Sequence, residues 1–423
     1  MASTLALGMP NCPVVDVDDY FLSEKTLALI SDLDPDFTVC RLNVTERDKQ
    51  ITIVNCPDMV RDILVSQHRK FKKGPEFSRI KILTGGGLIV SDGVKWRTGR
   101  RLVQPAFIRT NWDILQEASD HHAKILHDRW MGLAARNAEV DITDEAERYA
   151  MGVMISSIFG KDAERFYTSD TETIFDALKN GNVKNIEVVP SIRSARQVVL
   201  SVLEQRKKIT TPQRDILGLL LEARDRTSPD FSDKEIVDEI ITLIVAGYET
   251  SAILLAWVFY SLGVNPAARR YLGCGKAALS DRIENLANEC LRLYPPVWMF
   301  SRRALEDVDL GSLQVSKGDV VAISPFLLHR RPSDWSVPLS FQPDRFENVD
   351  PHRNSYVPFS AGPRRCIGDV LSNYEMQTVV GRIAPDIRFT VTSPHHIDFE
   401  PLINLRSKHA IMAKLSLNGL NDV

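Results

Sequence analysis

The chain has 423 residues, 44% hydrophobic and 25% charged, which is ordinary for a soluble globular protein with a large core. A formal net charge of −3 gives no sign of a nucleic-acid partner. Six cysteines (Cys12, Cys40, Cys56, Cys274, Cys290, Cys366) form no C-x-x-C pair, which argues against a zinc or iron–sulfur site and fits a reducing cytoplasm.

Residues 1–34 read as an N-terminal extension without a membrane anchor. Met1–Pro10 has no basic region, and its apolar run is far shorter than the ~20 residues a membrane span needs. Acidic residues follow at Asp16, Asp18 and Asp19. No Gly/Ser-rich or Pro-rich linker interrupts the chain, so residues 35–415 read as one domain and 416–423 as a tail.

Phe37–Val44 and Gln50–Asn55 alternate and are rich in β-branched residues, which predicts strands. Pro57 then opens a helical stretch over Asp58–Val65. After Gly85-Gly86-Gly87, Trp96 and Arg100 stand four apart and share a helix face. Two planar donors stacked in this way suit a carboxylate lying flat on the helix. Alone, the pair reads first as a surface cation–π contact. Apolar periodicity predicts helices over residues 110–160 and 167–227, with breaks at Gly181 and Pro190.

Ser232-Asp-Lys-Glu235 is a capping box, and the helix it starts should run to about Gly263, before Pro266. Glu239 and Glu249 interrupt its apolar run, which favours a buried core helix over a membrane span. Its middle reads Ala246-Gly247-Tyr248-Glu249-Thr250. Gly247 would admit a flat ligand close to the backbone. The Thr250 hydroxyl can bond the carbonyl four residues back and bend the helix. With Glu249 beside it, the pair can relay protons from solvent. A solvated Glu and a packed Thr remain the plainer reading of these five residues. Glu289 and Arg292 then share a face of a helix that Pro295-Pro296 stops.

Phe359-Ser-Ala-Gly362-Pro-Arg364-Arg-Cys366-Ile-Gly368 sets one cysteine in a glycine-bearing loop ahead of a helix-like stretch, Val370–Ile383. A helix N-terminus aimed at sulfur favours the thiolate. A lone axial thiolate is one way to hold haem iron, and it promotes O–O cleavage. Without its neighbours, Cys366 would read as a buried structural cysteine.

The ten-residue pattern resembles the haem-binding loop of the cytochrome P450 superfamily, and the other motifs stand in that family's order. The resemblance spans about residues 35–415. It implies a mainly α fold with small β-sheets, with haem between the long central helix and the Cys-loop helix. It makes Cys366 the axial iron ligand of haem b, with Phe359, Gly362, Gly368, Ala246 and Gly247 around the cofactor. Trp96, Arg100, Arg302 (with Arg303 as rival), His329 and Arg364 become propionate partners. Glu249 and Thr250 become the proton-delivering pair for O2 activation. Arg345 joins Glu289 and Arg292 in a structural triad. Residues 160–215 would hold the two helices that roof the substrate channel.

The resemblance further implies an apolar pocket with Leu83, Leu243, Ala246, Val297, Met299 and Ile403, and a hydrophobic small-molecule substrate. Terpenoid, polyketide, fatty-acyl and aromatic or peptide-derived compounds all stay open, as do hydroxylation, epoxidation, oxidative coupling and desaturation. Electrons from NAD(P)H would arrive through a ferredoxin and its reductase, or a flavodoxin-type donor. Arg97, Arg101 and Arg365 are the candidate docking cations. The expected setting is a soluble, cytoplasmic bacterial enzyme of secondary metabolism. The rival class is a non-catalytic haem sensor or carrier.

Overall fold

The structure, a computed structural model, describes residues 12–17, 22–44, 49–108, 111–166, 188–209, 213–274, 277–350, 354–393 and 398–419. It is mostly helical with small sheets. Met1–Pro10, Asp18, Asp19 and the predicted break at Gly181 lie outside those residues.

The chain begins with β1 (Val14–Val17), α1 (Glu24–Ser31), β2 (Val39–Val44), β3 (Lys49–Val54), α2 (Pro57–Arg61), β4 (Phe71–Lys73), α3 (Phe77–Thr84) and α4 (Gly93–Val103). Next come α5 (Trp112–Ala134), β5 (Glu139–Asp141), α6 (Ile142–Phe159), α7 (Val188–Arg206), α8 (Ile216–Thr227), α9 (Asp233–Val264), α10 (Pro266–Cys274) and α11 (Leu279–Leu293). The last part holds β6 (Phe300–Ala304), β7 (Val308–Asp309), β8 (Gln314–Val315), β9 (Val320–Ile323), α12 (Pro325–Leu328), α13 (Asp369–Ile383), β10 (Ile387–Val391), β11 (Phe399–Pro401), β12 (Leu405–Ser407) and β13 (Met412–Leu417).

The predicted strand pair is present as antiparallel β2 and β3, with Val39 opposite Val54. The helical stretch predicted over 110–160 holds two helices, α5 and α6. Asn137 takes a left-handed φ of 51°, and β5 then pairs with β13 before α6 begins. Asn tolerates that backbone, and a three-residue strand leaves no mark on helical periodicity. Asp141 ends the strand and accepts the N–H groups of Thr143 (2.9 Å) and Asp144 (3.3 Å), so it caps α6. The predicted break at Pro190 is instead in the first turn of α7, where a missing N–H costs nothing.

The chain divides into two compact units. The first comprises Met1–Pro75, Leu126–Ala146 and Thr250–Val423. It contains a six-stranded sheet in the order β1-β2-β3-β9-β6-β4. Strand alternation supplies two apolar clusters. One gathers Leu42, Ile53, Trp298, Met299, Phe326 and Leu405, and the other Val39, Val54, Ile63, Ile323 and Leu328. Also in this unit, the rings of Trp130, Phe259 and Phe389 pack at tilted and edge-on angles with centroids 4.9 to 5.6 Å apart, and α11 packs along α13.

The second unit comprises Glu76–Ile125 and Glu147–Glu249. Buried Arg206 organises one side of it. Its guanidinium donates to Asp162 (2.6 Å), to both oxygens of Asp215 (3.2 and 2.6 Å) and to the Phe159 carbonyl (2.8 Å). Asp215 also caps α8 by accepting the Gly218 N–H at 2.8 Å. One carboxylate thus closes the end of α7 onto the start of α8. His122, half-buried and bonded to Ser156 at 2.9 Å, is pushed down to about 4 by desolvation and by His121, and is neutral.

The capping box of α9 forms as predicted. The Glu235 N–H donates to the Ser232 hydroxyl (3.3 Å), and the Ser232 N–H donates back to the Glu235 carboxylate (2.9 Å). By length and composition α9 could cross a membrane, but most of its apolar stretch is buried in the protein. The division between units falls within this helix, between Glu249 and Thr250.

Candidate functional site

The Cys366 loop belongs to the first unit and is closed by its own backbone. The Cys366 N–H donates to the Phe359 carbonyl (2.9 Å), and the Arg365 N–H to the Gly362 carbonyl (3.0 Å), across a 3₁₀ turn at Gly362–Arg364. Gly362 has φ +68°, and a Cβ there would overlap the Leu64 carbonyl. Its glycine is therefore demanded by the turn at Asp62–Ser66, on which the loop rests. Ser360 carries a comparable φ of +59° without being glycine. The loop leaves the Cys366 side chain exposed. The Gly368 N–H donates to its sulfur at 3.4 Å, one residue before α13 begins. An amide donor and a helix N-terminus at one sulfur both favour the thiolate.

Glu289, Arg292 and Arg345 come together as predicted from the resemblance. Glu289 is fully buried and accepts from Arg292 Nε (2.7 Å) and Nη2 (2.8 Å), from Arg345 Nε (3.2 Å) and from the Gln342 N–H (2.9 Å). The remaining guanidinium hydrogens go to carbonyls. Arg292 takes those of His329, Pro338 and Ser340 at 2.6 to 3.1 Å, and Arg345 takes those of Ser336, Val337 and Ser340 at 2.7 to 3.3 Å. The triad therefore holds an irregular stretch of backbone.

Alternation along β6 separates the two arginine candidates. Arg302 is buried, its guanidinium 4.9 Å from the Phe300 ring centroid, whereas Arg303 reaches the Gly318 carbonyl on the other side. Arg364 is half-buried at the rim of the Cys loop.

His329 does not fit the propionate role drawn from the resemblance. It is fully buried, so a carboxylate could reach it only by displacing protein. Its Nε2 accepts the Val357 N–H at 2.9 Å, and its ring packs between Tyr356 and Trp335. Burial, then the charges of Arg292 and Arg330, hold it well below its usual pKa and neutral. His329 is thus part of the triad's surroundings.

Met299 is likewise a core residue, 2% exposed in the cluster with Trp298 and Leu405. Val297 and Ile403 keep partial exposure. The Trp298 indole donates to the Leu402 carbonyl (3.0 Å), which ties the 402–404 turn to the segment before β6.

In the second unit, Trp96 and Arg100 stand one turn apart on α4, both half-buried, and Arg100 Nε donates to Gln104 Oε1 (3.2 Å). Leu83 and Leu243 are mostly buried there. A Cβ at Gly247 would strike the Met154 side chain, so packing of α6 on α9 accounts for this glycine. Along α9, residues 236–244 and 251–262 are buried, while Ala246, Gly247, Glu249 and Thr250 are half-open.

Glu375 escaped sequence reasoning. It is 1% exposed on α13, bonds Ser251 next to Thr250, and is pushed up to about 7 by burial. Nothing in the sequence around it distinguishes it from a surface glutamate.

A sequence model of the cytochrome P450 family matches residues 39–272 and 283–412. Cyclooctatin synthase of Streptomyces melanosporofaciens is 30% identical over 78% of this chain and 78% of its own length. Pentalenene oxygenase of Streptomyces avermitilis is 26% identical over 79% of this chain and 81% of its own. In fold, the chain is similar to the crystal structure of a cytochrome P450DA heme domain, with a TM-score of 0.81, 21% identity, and coverage of 97% and 98% of the two chains. A cysteine loop closed on itself, a half-open helix middle and a family match over most of the length agree: the chain belongs to the cytochrome P450 family of haem monooxygenases.

Proposed function

We propose that this protein oxygenates an apolar, cyclic small molecule of bacterial secondary metabolism, using a haem held by Cys366. The observation that carries this reading is the exposed Cys366 sulfur with the Gly368 N–H on it. The donor set fits haem: among the described residues no three His, Cys, Asp or Glu side chains are grouped to hold a bare ion, so a lone thiolate suits iron already held by a macrocycle. Bound there, a haem with thiolate ligation would supply activation of dioxygen and cleavage of its O–O bond.

The chain's own residues would do the rest. Trp96, Arg100, Arg302 and Arg364 would compensate the propionate charges, since carboxylates at a buried edge require it. Phe359, Gly362, Gly368, Ala246 and Gly247 would border the ring. Thr250 and Glu249 would carry protons inward from solvent. Leu83, Leu243, Ala246, Val297 and Ile403 would face the substrate. The apolar character of these side chains favours a hydrocarbon-like ligand, and pentalenene oxygenase is by its name an enzyme acting on an olefin.

Electrons from NAD(P)H would come through a ferredoxin and its reductase, or a flavodoxin-type donor, in the cytoplasm where scattered cysteines stay reduced. Arg365 is paired with Asp369 (2.6 Å), which leaves Arg97 and Arg101 as the main docking cations.

The ferrous–CO difference spectrum tests the reading. A strongly red-shifted Soret band that Cys366→Ser abolishes supports it, and retention of that band in the variant sinks it. Thr250→Ala should keep haem and substrate binding while releasing hydrogen peroxide in place of product.

A further inference from the structure

Asp238 and Glu239 are adjacent acids in the first third of α9, and both are buried, at 3% and 1% exposure. Buried carboxylates need donors, and these find theirs in the loop between α3 and α4. Asp238 Oδ2 accepts the Gly86 N–H at 2.7 Å, and Glu239 Oε2 accepts the Leu88 N–H at 2.8 Å. The other oxygen of Asp238 is ion-paired with Arg196 of α7. Thr242, one turn along α9, donates to the Asp238 carbonyl at 2.7 Å.

The glycines are cut to this arrangement. Gly85 has φ +71°, and a Cβ on it would overlap the Asp238 carboxylate. A Cβ on Gly87 would overlap the Thr242 hydroxyl, and one on Gly99 of α4 would come within 2.8 Å of Glu239 Oε1. A triple glycine ordinarily reads as a flexible joint. Here it is clasped by charge-assisted bonds at close range.

We propose that Asp238 is a positioning residue for substrate binding. Its carboxylate fixes the α3–α4 loop against α9, and Arg196 makes that placement depend on α7. The inference rests on the reading above that Leu83, on α3, and Leu243, on α9, face the substrate. Arg196 supplies the partner that compensates burial of the Asp238 carboxylate. Moving α7 away strips that partner, so α7 and the glycine loop shift together. The same loop leads into α4, and Glu239 anchors its second half there. Fixing the loop therefore fixes the end of the helix that bears Leu83.

The test uses holoenzyme and two azoles that ligate haem iron, imidazole and 4-phenylimidazole, titrated by Soret shift. Arg196 is half-buried, so Arg196→Gln should fold. Asp238→Asn keeps the acceptor for Gly86 while losing the charge. Both variants should bind imidazole as the wild type does and change 4-phenylimidazole affinity by about tenfold, or ~1.4 kcal/mol. Arg196→Lys should restore most of the difference. An unchanged ratio of the two affinities in both variants overturns the proposal, as does failure of Arg196→Lys to recover it. Absence of any azole shift in wild-type protein overturns the haem reading itself, whereas a failure confined to the ratio overturns only this inference.

Discussion

Glu375→Gln should make the protein's stability less sensitive to alkali. Glu375 is buried, its Oε2 has no partner among the described residues, and burial raises it from the ordinary 4.5 to about 7 against the opposing bond to Ser251. The folded state therefore holds this proton more tightly than the unfolded chain does. That contribution is complete below pH 4.5 and is lost as pH rises through about 7. The gap between the two values corresponds to about 3 kcal/mol, most of it incurred between pH 5 and pH 8. Glutamine is neutral throughout and keeps an acceptor for Ser251. Urea unfolding followed by circular dichroism at several pH values gives both stabilities. The advantage of the variant over wild type should grow by about 2 kcal/mol from pH 5 to pH 8. A difference independent of pH would refute the assignment of a neutral, buried acid at this position.

Arg292→Ala leaves Glu289 buried with half its donors gone, so it should cost about 3–5 kcal/mol and appear as lost haem retention on purification. Full haem occupancy at wild-type thermal stability would contradict that. Ser360→Gly relieves a side chain held at φ +59° and should stabilise by about 1 kcal/mol, seen as a raised Tm. Gly362→Ala should act oppositely and more strongly, because the added methyl meets the Leu64 backbone. Trp298→Phe removes the indole donor from the Leu402 carbonyl and should cost about 1–3 kcal/mol in urea unfolding, with the thiolate Soret band retained.

Local signals were legible where local physics decides. The Ser232–Glu235 box, the Pro57 helix start and the β2–β3 pair need only neighbouring residues, and they formed where the sequence puts them. The Cys366 loop was legible because its glycines and its following helix are fixed by spacing. The roles of Gly362 and Gly247 were not, since the atoms that require them, the Leu64 carbonyl and the Met154 side chain, are far away in sequence. Asn137 and β5 were missed because a three-residue strand is stabilised by its partner β13, not by its own residues. His329 was misassigned for the same reason. Its sequence position suggests a cofactor edge, and only tertiary packing reveals that the ring is fully covered.

The stretch around residues 329–345 shows how irregular backbone can be fixed without a ladder. Its carbonyls face the interior, where unpaired acceptors are costly. Two guanidiniums answer them, since each offers five donors in a rigid fork. Glu289 balances one of the two charges, so a positive excess stays buried there. That excess explains the neighbours. After burial itself, the Arg292 charge is what pushes Arg330 down to about 9 and helps keep His329 neutral. Arg330 accordingly donates to the Phe326 and Leu293 carbonyls and lies on the face of Phe326, 3.6 Å from its ring centroid. A neutral His329 can accept the Val357 N–H, two residues before Phe359 opens the cysteine loop. The chain of causes runs from one glutamate, through two arginines and a histidine kept uncharged by burial and by the charges of Arg292 and Arg330, to the backbone that presents Cys366. Replacing Glu289 with Gln should therefore disturb thiolate ligation although Glu289 touches nothing in the loop, and resonance Raman of the iron–sulfur stretch would register it.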